Sequence, residues 1–151
     1  QLTIICFDRS RKRLRRVAEN LGGVPGALLG VGDMTRPPFR PGVFDAVLLD
    51  VPCSNTGVIR RRPDVQWRFT PEALKSVAVL QRQIFREAAP LVRPGGRLVY
   101  STCSIEPEEN EEQVHHFLQR FPEFTEATSK RLLPAEDHDG AYAAVLKRSP
   151  E

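Results

Sequence analysis

The 151-residue sequence is poor in the features that mark several protein classes. Its three cysteines form no Cys-x-x-Cys pair and none sits at zinc spacing from a histidine. That argues against a disulfide framework and a structural metal. His115 and His116 fall in a helical stretch and are expected to be solvated rather than ligating. No apolar run approaches the roughly 20 residues that span a bilayer. No secretion signal opens the chain, so a soluble, cytoplasmic protein is expected. A thiol phosphatase needs Cys-x5-Arg; Cys53 is followed seven residues later by Arg60, one too many, and Cys103 has no arginine nearby.

What is present supports one globular domain over residues 1–151, with 40% hydrophobic and 27% charged residues. The formal net charge is only +3, but it is unevenly spread. "RSRKRLRR" (9–16) reads as a solvated helix face. Arg60, Arg61 and Arg62, followed by Arg68, lie in what should be a loop, where clustered arginine suits a phosphate backbone. "EPEENEE" (106–112) is acidic.

Short apolar runs mark the strands. "LTIICFD" (2–8) reads as a buried strand with Cys6 as plain core. Leu14, Val17, Ala18 and Leu21 recur at helical spacing, and Gly22-Gly23 stops that helix. "VPGALLGVGD" (24–33) holds a second strand and "VFDAVLLD" (43–50) a third. Residues 51–70 are polar and irregular, a functional loop by length. Residues 70–92 make a strong helix with Thr70 as N-cap, Pro71 in its first turn, and Leu74, Val77, Leu80, Ile84, Ala88 and Leu91 on one face. "RPGG" (93–96) is a turn. A strand (97–103), a helix (107–121) and two closing strands (123–128, 141–148) follow. The alternation predicts an α/β fold with a mostly parallel sheet and helices on both faces. Ligands of such sheets bind beyond the carboxyl ends of the strands, and Asp8, Asp33, Asp50 and Cys103 all fall at such ends.

"DVPCSNTGVIRRRPDVQWR" (50–68) together with "GGRLVYSTCSIEPEENEEQV" (95–114) resembles the NOL1/NOP2/Sun (Sun/Fmu) family of RNA cytosine-5 methyltransferases, in its bacterial 16S ribosomal RNA branch. The family pattern is Asp-Ala-Pro-Cys-Ser-Gly-Thr-Gly, then Thr-Cys-Ser. Here Val51 replaces Ala and Asn55 replaces Gly. "LLPAEDHDGAYAAVLKR" (132–148) is similar to the family's closing segment, with Ala141-Tyr142 in place of two Phe. The resemblance implies a Rossmann-like fold, S-adenosylmethionine as cofactor and ribosomal RNA as partner.

The chemistry rationalises two thiols. C5 of cytosine is a poor nucleophile until a thiolate adds at C6. The resemblance implies Cys103 as that nucleophile and Cys53 as the residue assisting product release. DNA cytosine methyltransferases put their nucleophile in a Pro-Cys motif, which would point to Cys53, and residue chemistry alone does not separate the two. By the same resemblance Asp50 lies against the cytosine and the methyl donor. Asp8 takes the cofactor ribose and Asp33 sits by the adenine. Arg60, Arg61, Arg62 and Arg68 track RNA phosphates. Trp67 either stacks on a base or caps the core under its loop. Asn110 either supports the site residues from behind or is a helix-surface amide, and the second reading is preferred.

The family's cofactor loop, glycine-rich and following the first strand, has no counterpart before Asp8. The expectation is therefore a partial catalytic domain, lacking a central strand between those ending at Asp8 and Asp50 and exposing two inner edges. Three outcomes are open: a fragment of a longer enzyme, direct pairing of the flanking strands, or self-association through the open edges. A non-catalytic RNA-binding or assembly module is the alternative function.

Overall fold

The computed structural model describes residues 2–150, which fall into two compact units, residues 2–39 and 40–150.

In the smaller unit, β1 (Ile4–Asp8) and β2 (Ala27–Val31) run parallel, with Ile4 opposite Ala27 and Asp8 opposite Val31. Helix α1 (Arg11–Leu21) connects them. Ser10 caps α1 by accepting from the Arg13 N–H, and Gly22 closes it in the left-handed region at φ +51°. Phe7 and Phe39 meet edge to face at 5.1 Å. Only Leu14 is buried among the described residues of this unit. The expectation of a buried first strand is corrected: Ile4 and Ile5 are each 38% exposed, and Cys6 is half-buried rather than core. One helix cannot cover both faces of a two-stranded ribbon.

The larger unit holds a four-stranded sheet in the order β3-β4-β6-β5. Its strands are β3 (Phe44–Asp50), β4 (Val92–Thr102), β5 (Phe124–Leu132) and β6 (Ala141–Arg148). β3 and β4 are parallel, joined by a crossover through α2 (Val65–Arg68) and α3 (Pro71–Ala88). α4 (Glu111–Arg120) follows β4. β6 runs antiparallel to both β4 and β5. The sheet is therefore mixed, where a mostly parallel one was expected. No helix separates β5 from β6, and a short loop returns the chain antiparallel. The expected turn at 93–96 bulges out of the ladder: Phe44 pairs Val92, and the next pair is Ala46 with Arg97. β1 and β3 lie in different sheets.

Thr70 caps α3 through the Ala73 N–H, with Pro71 in the first turn. The buried face of α3 is Ala78, Gln81, Ile84, Phe85 and Ala88, while Leu74, Val77 and Leu80 are only half-buried. Phe85 stacks on Tyr100 at 4.5 Å and on Phe117 of α4 at 4.1 Å, and Phe117 meets Phe124 edge-on at 5.2 Å. This aromatic column joins α3 and α4 to the sheet and forms the core. Among the described residues, no helix is long and apolar enough to cross a membrane.

Candidate active site

The site is built where β3 and β4, adjacent and parallel, end together. Leu49 pairs Tyr100 and Asp50 pairs Ser101. Each strand then releases a loop carrying a thiol. The Cys53 and Cys103 sulfurs, 50 residues apart in sequence, stand 3.2 Å from one another. Asp50 is exposed at the end of β3, near enough for its charge to oppose ionisation of Cys103.

The two loops are tied at several points. The Gly57 N–H donates to the Cys103 carbonyl (3.0 Å), and the Gly140 N–H donates to the Gly57 carbonyl (2.8 Å). A Cβ at Gly57 would lie 2.7 Å from both the Cys103 and Gly140 oxygens, so only glycine permits this approach. Asn55 has φ +64°, a left-handed conformation that asparagine tolerates better than most residues. This explains why Asn can stand where the family has Gly. Its Nδ2 donates to the Cys53 carbonyl (2.8 Å), and its Oδ1 lies 3.2 Å from the Cys103 sulfur.

Below the thiols is a polar network that sequence reasoning missed. Glu109, fully buried, accepts from the Ser54 N–H (2.9 Å), from the Ser54 hydroxyl and from Gln81 Nε2 (2.9 Å). Gln81, also fully buried, donates to the Pro52 carbonyl at 2.9 Å. The backbone carbonyl of Glu109 accepts from Tyr100 OH at 2.7 Å. No ion pair holds Glu109 among the described residues; its hydrogen-bond donors there are all neutral. The hydroxyls of Ser54, Thr56 and Ser104 cluster at 3.2–3.4 Å. Asn110 corrects the surface-amide expectation. It is fully buried, accepting from Thr102 Oγ1 at 2.6 Å and donating to the Ser104 carbonyl at 3.0 Å. An acidic run looks solvated in sequence. Here a short 3-10 turn at Pro107–Glu109 rolls Glu109 and Asn110 inward before α4 begins.

The thiols differ electrostatically. A hydrogen bond from Cys53 holds the Cys103 thiol below the usual range, against burial and the charges of Asp50 and Glu109. The Cys53 thiol is pushed far up, first by its hydrogen bond to Cys103, then by burial and the Cys103 charge. Of the two, Cys103 is the one whose ionisation the surroundings favour.

A cavity of about 180 Å³ opens beside Cys53 and Asn55, lined also by Val65 and Arg68 of α2 and by Phe69 and Leu74. The other sequence-flagged arginines make internal contacts. Arg60 donates to the Ala135 and Glu136 carbonyls and pairs with Asp139 at 3.1 Å; Arg61 pairs with the same carboxylate at 2.6 Å. Arg62 and Arg68 share Asp64, whose carboxyl the Arg62 hydrogen bond and both positive charges hold below its usual range. Trp67 is 87% exposed, so its ring does not cap the core.

Asp8 and Asp33 belong to the smaller unit, at the exits of neighbouring strands. Asp8 accepts from the Ser10 N–H (2.6 Å) and pairs with Arg13 (2.9 Å). Asp33 accepts from the Thr35 N–H and hydroxyl (2.8 Å each), which hold its carboxyl below the usual range. Each carboxylate retains lone pairs for a further donor.

Comparison with known proteins supplies relatives for this arrangement. The chain is 43% identical to ribosomal RNA small subunit methyltransferase B of Yersinia pseudotuberculosis and of Yersinia pestis, over 96% of its length. It spans 37% of the length of those relatives. The structure of the protein PH0851 superposes with a TM-score of 0.91 at 32% identity, over 97% of this chain and 37% of that one. NSun6 from Pyrococcus horikoshii, crystallised with SFG, superposes with a TM-score of 0.82 at 28% identity, over 99% of this chain and 42% of that one. The model of the family described as 16S rRNA methyltransferase RsmB/F matches residues 1–147, both thiol loops and both units included, and the chain belongs to that family.

Proposed function

We propose that the chain carries the reacting thiols of an enzyme that methylates C5 of a cytosine in small-subunit ribosomal RNA in the cytoplasm, with S-adenosylmethionine as donor. The observation that carries this reading is the sulfur pair, 3.2 Å apart on loops that leave the ends of two adjacent parallel strands.

The target pyrimidine, turned out of its RNA, enters the cavity beside Cys53. The Cys103 thiolate adds to C6, and the π-electrons move to C5. S-adenosylmethionine, when bound, supplies the electrophilic methyl that C5 takes. C5 then gives its proton to a water molecule, the C5–C6 double bond reforms, and the Cys103–C6 bond breaks with the electron pair returning to sulfur. The Cys53 S–H faces that sulfur and stabilises its departure. Asp50, at the adjacent strand exit, hydrogen-bonds the ring as charge develops. Glu109 and Gln81 act through Ser54 and Pro52, fixing the Cys53 loop.

The cofactor fits the residues present in part. Carboxylates at two adjacent strand exits suit ribose hydroxyls and an adenine amino group, so Asp8 and Asp33 would hold the nucleoside. No glycine-rich turn in the sequence matches the methionine end, so this chain alone binds the cofactor weakly or not at all. Calorimetric titration with S-adenosylhomocysteine tests this; tight, saturable binding would overturn it.

The decisive test of the reaction is trapping. RNA bearing 5-fluorocytidine has no C5 proton to lose, so the Cys103–C6 adduct persists after methylation. With labelled S-adenosylmethionine and with this chain extended upstream in its gene, a denaturation-resistant adduct is expected, absent in Cys103→Ala. If the extended protein binds RNA but forms no adduct, the chain belongs to a binding module instead.

A further inference from the structure

Cations that lack acidic partners occur away from the thiols. A groove of about 480 Å³ runs between α3 and α4, with Arg82 and Arg86 on one wall and His116 and Arg120 on the other. Each pair is spaced four residues apart, which places both members on one helix face. The lining contains no carboxylate. Among the described residues Arg82 and Arg120 pair with no acid, and only Arg86 does, with Glu87 at 2.9 Å. This contrasts with the arginines at 60–68, where four share Asp139 and Asp64.

Two further features point to a ligand. Gln113, 1% exposed and lining the groove, donates to the Glu108 carbonyl while its Oε1 has no hydrogen-bond partner. A buried acceptor left unpaired costs stability unless something donates to it. The groove also holds an apolar lip, Val79 at 62% exposed and the half-buried ring of Phe121.

We propose that the α3–α4 groove is a second RNA-contact site, separate from the thiol cavity, that holds phosphates and one unstacked base of a single-stranded segment. The facing guanidinium groups bind phosphates, for which their planar forks are suited. The base lies on Phe121, and its exocyclic amino group donates to Gln113 Oε1. The choice of RNA over an acidic polypeptide rests on the proposed activity; the groove itself does not. Such a site would hold the substrate in register while one nucleotide is extracted at the thiols.

The test is fluorescence anisotropy of this chain with a labelled, unmodified single-stranded oligoribonucleotide across a potassium chloride series. Arg82→Glu with Arg120→Glu is expected to weaken binding by about tenfold or more. It should flatten the salt dependence by about 1.4 in log–log slope, for two lost phosphate contacts. The neutral pair Arg82→Gln with Arg120→Gln should give the same slope change, which guards against misfolding of the reversed pair. Arg11→Glu with Arg15→Glu, on the exposed face of α1, is the comparison for unspecific charge. Unchanged binding by the groove variants, or an equal loss from the α1 variant, overturns the proposal. So does polyglutamate displacing the RNA from wild type while failing to compete with the groove variant, which would make the occupant an acidic polypeptide. Adduct formation with 5-fluorocytidine RNA is scored separately. Loss of trapping with groove-dependent binding intact sinks the methylation reading alone, and the reverse sinks the groove alone.

Discussion

The two units treat their apolar residues differently. In residues 2–39 the strands are apolar yet open: Leu28 is 55% exposed, Leu29 46% and Val31 53%. In residues 40–150 the aromatic column of Phe85, Tyr100 and Phe117 is at most 3% exposed, and Leu98, Ala144 and Leu146 are fully buried. The apolar strand sequences are alike, so composition does not separate them. What differs is the number of layers each unit supplies. The larger packs the long helices α3 and α4 with four strands around one interior, whereas a two-stranded ribbon with one helix has little interior to offer. The thiols and their buried polar support sit in the larger unit, where a rigid core can hold them.

The sharpest test of this division is Cys103→Ala. If Cys103 is the reacting thiol, methyl transfer falls by at least about 10³-fold, with the thermal unfolding midpoint nearly unchanged. Labelled-methyl incorporation into unmodified ribosomal RNA measures it, and a residual rate near wild type would move the nucleophile to Cys53.

Next in size is the packing contrast. Phe85→Ala should cost about 3–5 kcal/mol, whereas Leu28→Ala should cost under about 1 kcal/mol because its side chain is already half in water. Urea unfolding compares them, and equal losses would break the distinction between the units. Glu109→Ala should cost about 3 kcal/mol, since Ser54 and Gln81 are left with buried unpaired donors. Glu109→Gln keeps an acceptor and should recover part of that. If Glu109→Ala leaves stability and the alkylation profile of Cys53 untouched, the network does not position the loop.

Smaller effects probe the thiol pair. Removing the hydrogen bond from Cys53, in Cys53→Ala, should move the iodoacetamide midpoint of Cys103 to higher pH, because that hydrogen bond is the main influence favouring its ionisation. A midpoint that stays or falls would show that another group sets it. Asn55→Gly should change stability by less than about 0.5 kcal/mol, whereas Asn55→Ala should cost about 1 kcal/mol at its positive φ. Equal costs would mean the side-chain contacts matter more than the backbone conformation.

Legibility in the sequence followed the range of the interaction. The strands, the cap of α3 and the stop of α1 were readable because each depends on residues a few positions apart. The thiols were readable as a pair through their two motifs. The burial of Gln81, Glu109 and Asn110 was not, since each reads as a surface residue in a polar run. Glu109 meets Ser54 across 55 positions and Gln81 across 28. The face of α3 was misjudged for a related reason. Counting apolar residues selected Leu74 and Val77, but the network required the inward position for Gln81.

The sequence by itself determined the α/β alternation, the exit of both cysteines from strands and the chemistry open to them, because local spacing and residue type suffice for these. The tertiary structure decided how close the two sulfurs stand, which carboxylate is buried, and which arginines, among the described residues, remain without acidic partners. Those properties depend on desolvation and on charges brought within a few ångströms, and only the packed chain sets such distances.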